Sequence, residues 1–198
     1  SINNIHYIPL VRHSGHRNNW IKSSMGLKYQ KEWNFLFFGY ISQYKGIEVL
    51  GNAFKRLQEN GHLNITLTIA GSGDFSAYKK QYRELDNVNI INRRILDQEV
   101  GNLFTLKNVI AVVPYVDATQ SGVIATALDF EVPVIASDTG GLKEQLNNGK
   151  IGIFCTPGDA ESLCDAMEKL IDNKDEYAKQ KKLIREFLEN IDRKTIAK

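Results

Sequence analysis

Short apolar runs alternate along the sequence with stretches whose apolar residues recur at helical spacing, and this alternation limits the fold more than any other feature. Most of the runs are apolar throughout, as expected for strands that are covered on both faces. Six alternations of strand and helix predict an α/β fold, with one parallel sheet and helices on both of its faces. The runs that predict strands are 34–40, 64–71, 87–91, 109–115, 132–137 and 151–156.

The helical stretches between these runs carry further signals. Apolar residues recur at helical spacing over residues 47–57 and again over 75–85. Asp97 and Asp159 each precede such a stretch, and both are predicted to cap the helix that follows. The last helix is predicted over residues 175–190.

The main part of the chain is predicted to be one domain, over residues 34–198. No linker, repeat or low-complexity stretch divides this region. Residues 1–33 show no clear periodicity. They are predicted to be an irregular leading segment or linker that follows a domain absent from this chain.

Composition argues against several classes of function. The formal net charge is +2 and no dense Lys/Arg face is present, so nucleic acid binding is not expected. The two cysteines, Cys155 and Cys164, have no metal-ligand or redox spacing and suit a reducing cytoplasm. No apolar stretch approaches the roughly 18 residues that a membrane helix needs. The four histidines have no partner arrangement, so no metal site is predicted.

The site is expected at one edge of the predicted sheet. Open parallel sheets bind ligands at the carboxyl ends of their strands, where the strand-to-helix loops meet. All of these loops are rich in polar residues, and all but one contain glycine. The loops at this edge are predicted to be 39–46, 71–74, 92–97, 114–122 and 137–141.

Two of these loops favour a phosphorylated ligand. The sequence "ATQSGV" (118–123) precedes a helix predicted over 122–130, and either Thr119 or Ser121 is able to cap it. The free backbone N–H groups of a first helical turn favour an anion such as phosphate. The sequence "SDTGG" (137–141) offers glycine for close backbone approach and hydroxyls for polyol hydrogen bonds. Each loop alone is also typical of an ordinary turn, but two on one edge favour a shared ligand.

Two further features of this edge each have two interpretations. Lys45 lies just before a helix, where its ammonium would neutralise phosphate as a point charge, although a solvated surface lysine is the alternative. The sequence "GSGD" (71–74) lacks the spacing of known phosphate loops and indicates either a tight turn near a ligand or merely a turn. No pair of a nucleophile and a base is visible in the sequence.

Six blocks of the sequence, in this order and at these spacings, resemble a known family. They are similar to the C-terminal, donor-binding domain of group 1 (family four) nucleotide-sugar glycosyltransferases of the GT-B type, in a subtype marked by "ATQSGV". The resemblance runs from about residue 34 to the end of the chain. The blocks are "FFGYISQYKGIEVL" (37–50), "LTIAGSGD" (67–74), "NRRILDQEV" (92–100), "VVPYVDATQSGVIATAL" (112–128), "PVIASDTGGLKE" (133–144) and "GIFCTPGDAESL" (152–163).

The resemblance implies a Rossmann-like domain, one half of a GT-B architecture. It also implies retaining transfer of a sugar from a nucleoside diphosphate donor, with no metal and no further cofactor. The loop after the first strand would contact the donor phosphates, the next loop the nucleotide, and the third the base through backbone groups. The loop before the 122–130 helix would meet sugar and diphosphate. The matching donor-binding positions are Gly39, Tyr40, Lys45, Gly71, Gly73, Arg94, Ile95, Thr119, Gln120, Ser121, Gly122, Val123 and Thr126.

The sequence departs from the family pattern in three ways, and the first two concern the ligand. Tyr40 stands where many members have an arginine, so phosphate binding would rest more heavily on Lys45. Ala118 and Thr126 stand where many members have glutamates for the sugar and the ribose. Asp117 is then the candidate replacement for the first glutamate, and the Thr126 hydroxyl a weak one for the second. Asp117 and Lys45 are the candidate catalytic residues.

The third departure lies at the end of a helix. Glu131 occupies a position where a helix-ending glycine is usual, and such positions often require positive φ.

The rest of the predicted function depends on a second domain. The family binds its acceptor in an N-terminal Rossmann-like domain, so this chain is expected to bind the nucleotide sugar and to transfer nothing alone. The acceptor is expected to be a glycan or a lipid-linked glycan, in the synthesis of surface polysaccharide. The expected location is the cytoplasm, including the inner face of the membrane through peripheral association of the full-length protein. The basic stretch 179–187 is predicted to be a solvated helix face, with membrane or partner docking as the alternative.

Two other functions remain open. A nucleotide-sugar epimerase shares the two-domain architecture, but it would require acid and base side chains that the sequence does not show. A non-catalytic module that binds a nucleotide or a partner is supported by the loss of both glutamates.

Overall fold

The computed structural model describes residues 25–196, and it describes side chains as far as residue 191. Most of the predicted leading segment, residues 1–24, lies outside the described residues. Its last part is bound to the domain, because the backbone N–H groups of Lys28 and Tyr29 donate to Asn89 Oδ1 at 2.9 and 3.0 Å.

The described residues form a six-stranded sheet in which all neighbouring strands are parallel. The strands are β1 (Trp33–Phe38), β2 (Ile65–Ala70), β3 (Val88–Ile91), β4 (Val109–Val113), β5 (Val134–Ser137) and β6 (Ile153–Cys155). Their order across the sheet is β3-β2-β1-β4-β5-β6. The α/β fold with one parallel sheet is therefore confirmed, and this strand order makes it Rossmann-like.

Seven helices connect or follow these strands in the described part of the chain. They are α1 (Ile47–Glu59), α2 (Lys79–Arg83), α3 (Asp97–Phe104), α4 (Gly122–Asp129), α5 (Leu142–Gln145), α6 (Ala160–Ile171) and α7 (Lys174–Ile196). Two 3-10 turns, Gln43–Lys45 and Ser76–Tyr78, precede α1 and α2. The last helix is longer than predicted, since it continues to residue 196.

The apolar strands are buried because helices cover them. All side chains of β2 and β4 are buried, as are those of β1 up to its last residue. Phe35 of β1 packs edge-to-face on Phe54 of α1, with ring centroids 6.4 Å apart. Phe38, at the end of β1, packs in the same way on Phe104 of α3 at 5.5 Å. These ring contacts pack α1 and α3 against β1.

One of the two predicted helix caps is correct. The Asp159 carboxylate accepts hydrogen bonds from the N–H groups of Glu161 and Ser162 at the start of α6. The prediction for Asp97 is wrong, because Asp97 is the first helical residue and Leu96 is the extended residue before it. Glu99 performs the capping instead, since its Oε2 accepts from the Leu96 N–H at 2.9 Å.

The second predicted helical stretch, 75–85, is only partly helical. It consists of a 3-10 turn and the five-residue α2. Aromatic packing stabilises it instead of a long hydrogen-bonded helix, since the Phe75 ring contacts the rings of Tyr78 and Tyr82. The buried Tyr82 hydroxyl also donates to the carbonyl of Ile47 at 2.7 Å.

Glu131 adopts the backbone conformation expected at its position, with φ 55°. The N–H of Glu131 donates to the carbonyl of Leu128, and the N–H of Val132 donates to that of Ala127, both at 2.8 Å. This is the Schellman arrangement that satisfies the last carbonyls of a helix, here α4. The Glu131 carboxylate also forms an ion pair with Arg185 of α7 at 2.9 Å.

Candidate functional site

The direction of strand connection reverses between β1 and β4, which are neighbours in the sheet. At such a switch point the loops after the two strands leave to opposite sides and open a crevice, which is where α/β sheets bind ligands. The loops here are 39–46 and 114–121. Both belong to the edge that the sequence predicts to be functional.

The two switch-point loops touch backbone to backbone at Gly46. This residue has φ 70°, and a Cβ atom added to it would lie 1.9 Å from the carbonyl oxygen of Pro114. The Val116 N–H also donates to the carbonyl of Tyr44 at 2.8 Å. Only glycine allows this approach, so the close contact fixes the position of the neighbouring Lys45.

The Lys45 ammonium lies on an aromatic face. Its Nζ is 3.6 Å from the ring centroid of Tyr115 and 4.9 Å from that of Tyr44. Tyr115 is 1% exposed, and its ring meets that of Tyr44 nearly edge to face. Among the described residues, no carboxylate forms an ion pair with Lys45. The crevice therefore contains a positive charge that is held by rings and left without a counter-ion from the described chain.

Helix α4 begins beside this cation. Of the two residues expected to be able to cap it, Thr119 and Ser121, Ser121 is the one directly before the helix, and its side chain forms no capping hydrogen bond. The Ser121 hydroxyl donates instead to the Tyr115 hydroxyl at 3.3 Å. Since the first N–H groups of a helix have no intrahelical acceptor, those of Gly122 and Val123 are available to an anion.

The start of α4 also lies close to the end of β1. A Cβ atom added to Gly39 would be 3.5 Å from Val123 Cγ2. The structure thus brings together three predicted donor-binding positions, Gly39, Lys45 and Val123, around the switch point.

The two hydroxyl-rich loops, 118–123 and 137–141, pack directly on one another. Cβ atoms added to Gly140 and Gly141 would lie 1.7 and 2.2 Å from the carbonyl oxygens of Ala118 and Thr119. Glycine is required here because any side chain would separate the two loops. The interpretation that both loops border one site is consistent with this contact.

A glutamine fixes the same junction. Gln145 Oε1 accepts from the Ser121 N–H at 2.7 Å, and Gln145 Nε2 donates to the Ser121 carbonyl at 3.2 Å. This pair of hydrogen bonds ties the residue before α4 to the end of α5. As a consequence, the Ser121 N–H is not among the groups available to a ligand.

The "GSGD" turn is explained by its packing. A Cβ atom on Gly71 would lie 1.8 Å from the carbonyl oxygen of Gly39, and one on Gly73 would lie 2.3 Å from that of Ile41. The Ile41 N–H donates to the carbonyl of Ser72 at 2.8 Å. These glycines let the β2 loop support the β1 loop, and their proposed contact with nucleotide stays a prediction.

The loop after β3 is organised by an ion pair. The Arg93 guanidinium donates to both carboxylate oxygens of Glu99, at 2.8 and 2.7 Å, and also to the carbonyl of Arg94 at 3.0 Å. These hydrogen bonds, with that from the Leu96 N–H, lower the pKa of Glu99 to about 2. Arg94 is exposed and Ile95 half-buried, and in the described part of the chain neither is hydrogen-bonded to the switch-point loops.

The proposed replacements for the family glutamates differ in what they offer. Asp117 is exposed at the edge of the crevice and has no ion pair among the described residues. The Thr126 hydroxyl donates to the Gly122 carbonyl inside α4 at 3.0 Å, so towards a ligand it is only able to accept. Thr119, Gln120 and the 62%-exposed Tyr40 present their side chains to solvent around the crevice.

Tyr115 and Gln145 are the two site residues that the sequence did not reveal. Tyr115 directly follows Pro114 at the end of a strand, and an aromatic residue in that place is a weak signal for a cation platform. Gln145 is 24 residues from its partner Ser121, and no local pattern announces such a contact.

Residues 18–187 match the family model described as glycosyl transferases group 1. The chain belongs to the group 1 glycosyl transferases. The matched residues include every loop at the carboxyl edge of the sheet, so the resemblance of the six blocks to this family is confirmed, whereas the "ATQSGV" subtype stays a prediction.

One relative of this glycosyl transferase chain is about twice as long as it is. An uncharacterized glycosyltransferase of Methanocaldococcus jannaschii is 28% identical over 141 residues, which are 69% of this chain and 35% of that protein.

No helix in the described part of the chain is both long and apolar enough to cross a membrane.

Solved structures with a similar fold include GT-B glycosyltransferases. Sucrose-phosphate synthase of Thermosynechococcus elongatus has a TM-score of 0.66 at 23% identity, over 78% of this chain and 40% of that one. Anabaena HepE in complex with UDP and glucose has a TM-score of 0.63 at 19% identity, over 82% and 44%. The C-terminal domain of a group 1 glycosyl transferase from Francisella tularensis has a TM-score of 0.70 at 17% identity, over 82% and 87%. This chain therefore has the fold of one such domain and spans less than half of the two longer proteins.

Proposed function

We propose that this chain is the donor-binding domain of a retaining glycosyltransferase, which takes a sugar from a nucleoside diphosphate. The observation that carries the proposal is the Lys45 ammonium, which has no ion pair among the described residues and lies 3.6 Å from the centroid of the Tyr115 ring, whose hydroxyl accepts from Ser121 directly before α4. Lys45 and the start of α4 both lie at the switch point of the sheet, where ligands of this fold bind. The family match supports the same reaction class.

The diphosphate would lie between Lys45 and the start of α4. An uncapped helix N-terminus provides N–H donors and a partial positive charge, and Lys45 adds a full charge. Cleavage of the bond between the sugar and the diphosphate leaves additional negative charge on the leaving group. The two positive elements would stabilise that charge as it develops, which is electrostatic catalysis by groups already in place.

The remaining donor contacts follow the family pattern. The base would bind at Arg94 and Ile95, near Gly71 and Gly73, and the sugar at residues 119–123. Asp117 would contact the sugar, and Thr126 would accept a hydrogen bond from a hydroxyl of the ligand. The complexes of Anabaena HepE with UDP-glucose support a nucleotide sugar as the ligand class.

We propose that the acceptor binds to a part of the protein that lies outside this chain. The acceptor would be a glycan or a lipid-linked glycan used for surface polysaccharide, with the full-length protein located in the cytoplasm or at the inner face of the membrane. Similar proteins of about twice this length, judged from the share of each that is matched, leave room for such a domain.

A non-catalytic nucleotide-binding module is the second candidate. It is favoured by one observation, that the Thr126 proton is used inside α4 where relatives carry a glutamate. Both candidates predict that this chain binds a nucleotide. Only the first predicts that the full-length protein transfers a sugar.

Calorimetric titration with a panel of nucleotides tests the proposal. The 198-residue chain should bind UDP or GDP and at least one of their sugar conjugates in the presence of EDTA, because Lys45 and α4 are proposed to replace a metal. Even weak single-domain affinity is measurable at millimolar ligand, where binding free energies are about 4 kcal/mol. Absence of binding by every nucleotide at that concentration would contradict the proposal, and binding that requires Mg²⁺ would contradict its metal-free form.

A further inference from the structure

Tyr115 connects the two sides of the switch-point crevice. Its side chain is almost completely buried at the end of β4, at 1% exposure. One face of its ring contacts the Lys45 ammonium from the β1 loop at 3.6 Å. Its hydroxyl accepts from the Ser121 hydroxyl, in the residue directly before α4, at 3.3 Å. One buried residue therefore touches both of the positively charged elements of the site.

The ring restricts a side chain that is otherwise mobile. A lysine loses considerable rotamer freedom when it is fixed, and that loss normally opposes ligand binding. The negative face of an aromatic ring attracts an ammonium and holds it without neutralising its charge. The Tyr115 ring at 3.6 Å and the more distant Tyr44 ring at 4.9 Å both leave the charge of the Lys45 ammonium unneutralised, so it is able to attract an anion.

The partner of the Tyr115 hydroxyl is itself fixed. Gln145 binds both the N–H and the carbonyl of Ser121, at 2.7 and 3.2 Å. The order of contacts is thus Gln145, Ser121, Tyr115 and Lys45, and it runs from α5 to the β1 loop. Each member is held by a hydrogen bond or a ring contact.

We propose that Tyr115 is a positioning residue, which places the Lys45 ammonium for a diphosphate before the ligand arrives. The role of the ligand rests on the proposed function, whereas the contact between Lys45 and Tyr115 does not. The hydroxyl has the smaller part in this arrangement, because the ring alone contacts the ammonium. Tyr115→Phe should therefore preserve the position of Lys45, and Tyr115→Leu should abolish it.

A ligand-free NMR measurement tests the contact itself. Methylene protons next to an ammonium that lies over a ring face are displaced upfield by the ring current. The Lys45 ε-methylene signal, assigned by its loss in Lys45→Arg, should be displaced in the unchanged chain and in Tyr115→Phe. In Tyr115→Leu it should move most of the way towards the position of an exposed lysine, because only the Tyr44 ring, at 4.9 Å, then remains. A signal that is undisplaced in the unchanged chain, or equally displaced in Tyr115→Leu, would overturn the proposal.

A double-mutant cycle on UDP affinity separates positioning from a purely structural role. Tyr115→Leu should weaken UDP binding about tenfold in the unchanged background, since the lysine must then be ordered by the ligand. In the Lys45→Met background the same change should have no further effect, because no ammonium is left to position. Equal losses in the two backgrounds would show that Tyr115 only maintains the fold.

The two measurements also separate this inference from the proposed function. A displaced Lys45 signal in a chain that binds no nucleotide would contradict the proposed function and leave the positioning of Lys45 established. Tyr115→Phe, which keeps the buried ring, serves as the folded reference if Tyr115→Leu does not fold.

Discussion

Glycine residues at the carboxyl edge determine how closely its loops approach one another. Gly46 and Gly140 both have positive φ, and a Cβ atom on either would lie within 2 Å of a carbonyl oxygen of the neighbouring loop. Gly61 also has positive φ, at 94°, but a Cβ atom there would have no neighbour within 4 Å. A comparison of Gly140 with Gly61 therefore separates the cost of positive φ from the cost of steric overlap with a neighbouring loop.

Gly140→Ala should destabilise the protein much more than Gly61→Ala. Both variants place a side chain at positive φ, which costs about 1 kcal/mol. Gly140→Ala must in addition separate the 118–123 and 137–141 loops, so we expect a total loss of roughly 2–4 kcal/mol in the free energy of unfolding. Urea denaturation measures both values, and equal losses would show that the two loops do not meet as described.

The Arg93–Glu99 pair predicts an acid-dependent difference in stability. The pKa of Glu99 is about 2, below its ordinary value of 4.5, because Arg93 and the Leu96 N–H bind the carboxylate. A depressed pKa contributes stability above the ordinary value, and this contribution is lost as the pH falls through the folded value.

Glu99→Gln should therefore be less stable than the unchanged chain near neutral pH. The difference should shrink as the pH falls from about 4.5 to about 2, the window set by the two pKa values. Urea denaturation across this range gives the measurement, and Glu84→Gln is a control with an exposed glutamate on another element. A difference that stays constant with pH would refute the assignment.

At the scale of elements, helix α4 has one open end and one closed end. Its N-terminus faces the crevice without a side-chain cap, whereas its C-terminus is closed by the hydrogen bonds around Glu131. Positive φ at Glu131 is unfavourable for any residue but glycine, asparagine or aspartate. The ion pair with Arg185 compensates in part, although exposed pairs contribute at most about 1 kcal/mol.

Comparison of Glu131→Gly with Glu131→Ala measures the free-energy cost of positive φ at residue 131. Both variants lose the ion pair, and only alanine retains the unfavourable conformation. Glu131→Gly should be more stable than Glu131→Ala by about 1 kcal/mol in thermal or urea unfolding. If Glu131→Ala were as stable as Glu131→Gly or more stable, the assignment of positive φ to residue 131 would be wrong.

The elements could be predicted from sequence to the extent that their signals are local. Apolar runs and helical spacing identified all six strands and the stretches around each helix, because burial imposes a period on each segment. Asp97 was misplaced as the cap by one residue, since the helix already begins at Asp97 and Glu99 accepts from the N–H of the preceding Leu96. Contacts between distant positions, such as Lys45 with Tyr115 and Ser121 with Gln145, have no local period and required the fold.

At the scale of the whole molecule, the sheet order accounts for the location of the site. The pattern of runs predicts a parallel sheet but not its order, and the order is what places β1 beside β4. The 39–46 and 114–121 loops are separated by about 70 residues of sequence, yet they meet at Gly46 and Pro114. The family match gives the reaction class, and the switch point is where the cation proposed to hold the donor phosphates lies.

The affinity of Lys45→Met for UDP and for uridine tests the central claim most directly. Loss of a charge-assisted contact with the diphosphate should weaken UDP binding by about tenfold to a hundredfold and leave uridine binding unchanged. Lys150→Met, which removes an exposed lysine from the opposite edge of the sheet, should alter neither affinity. UDP binding by Lys45→Met that equals that of the unchanged chain would contradict the claim that this cation holds the donor phosphates.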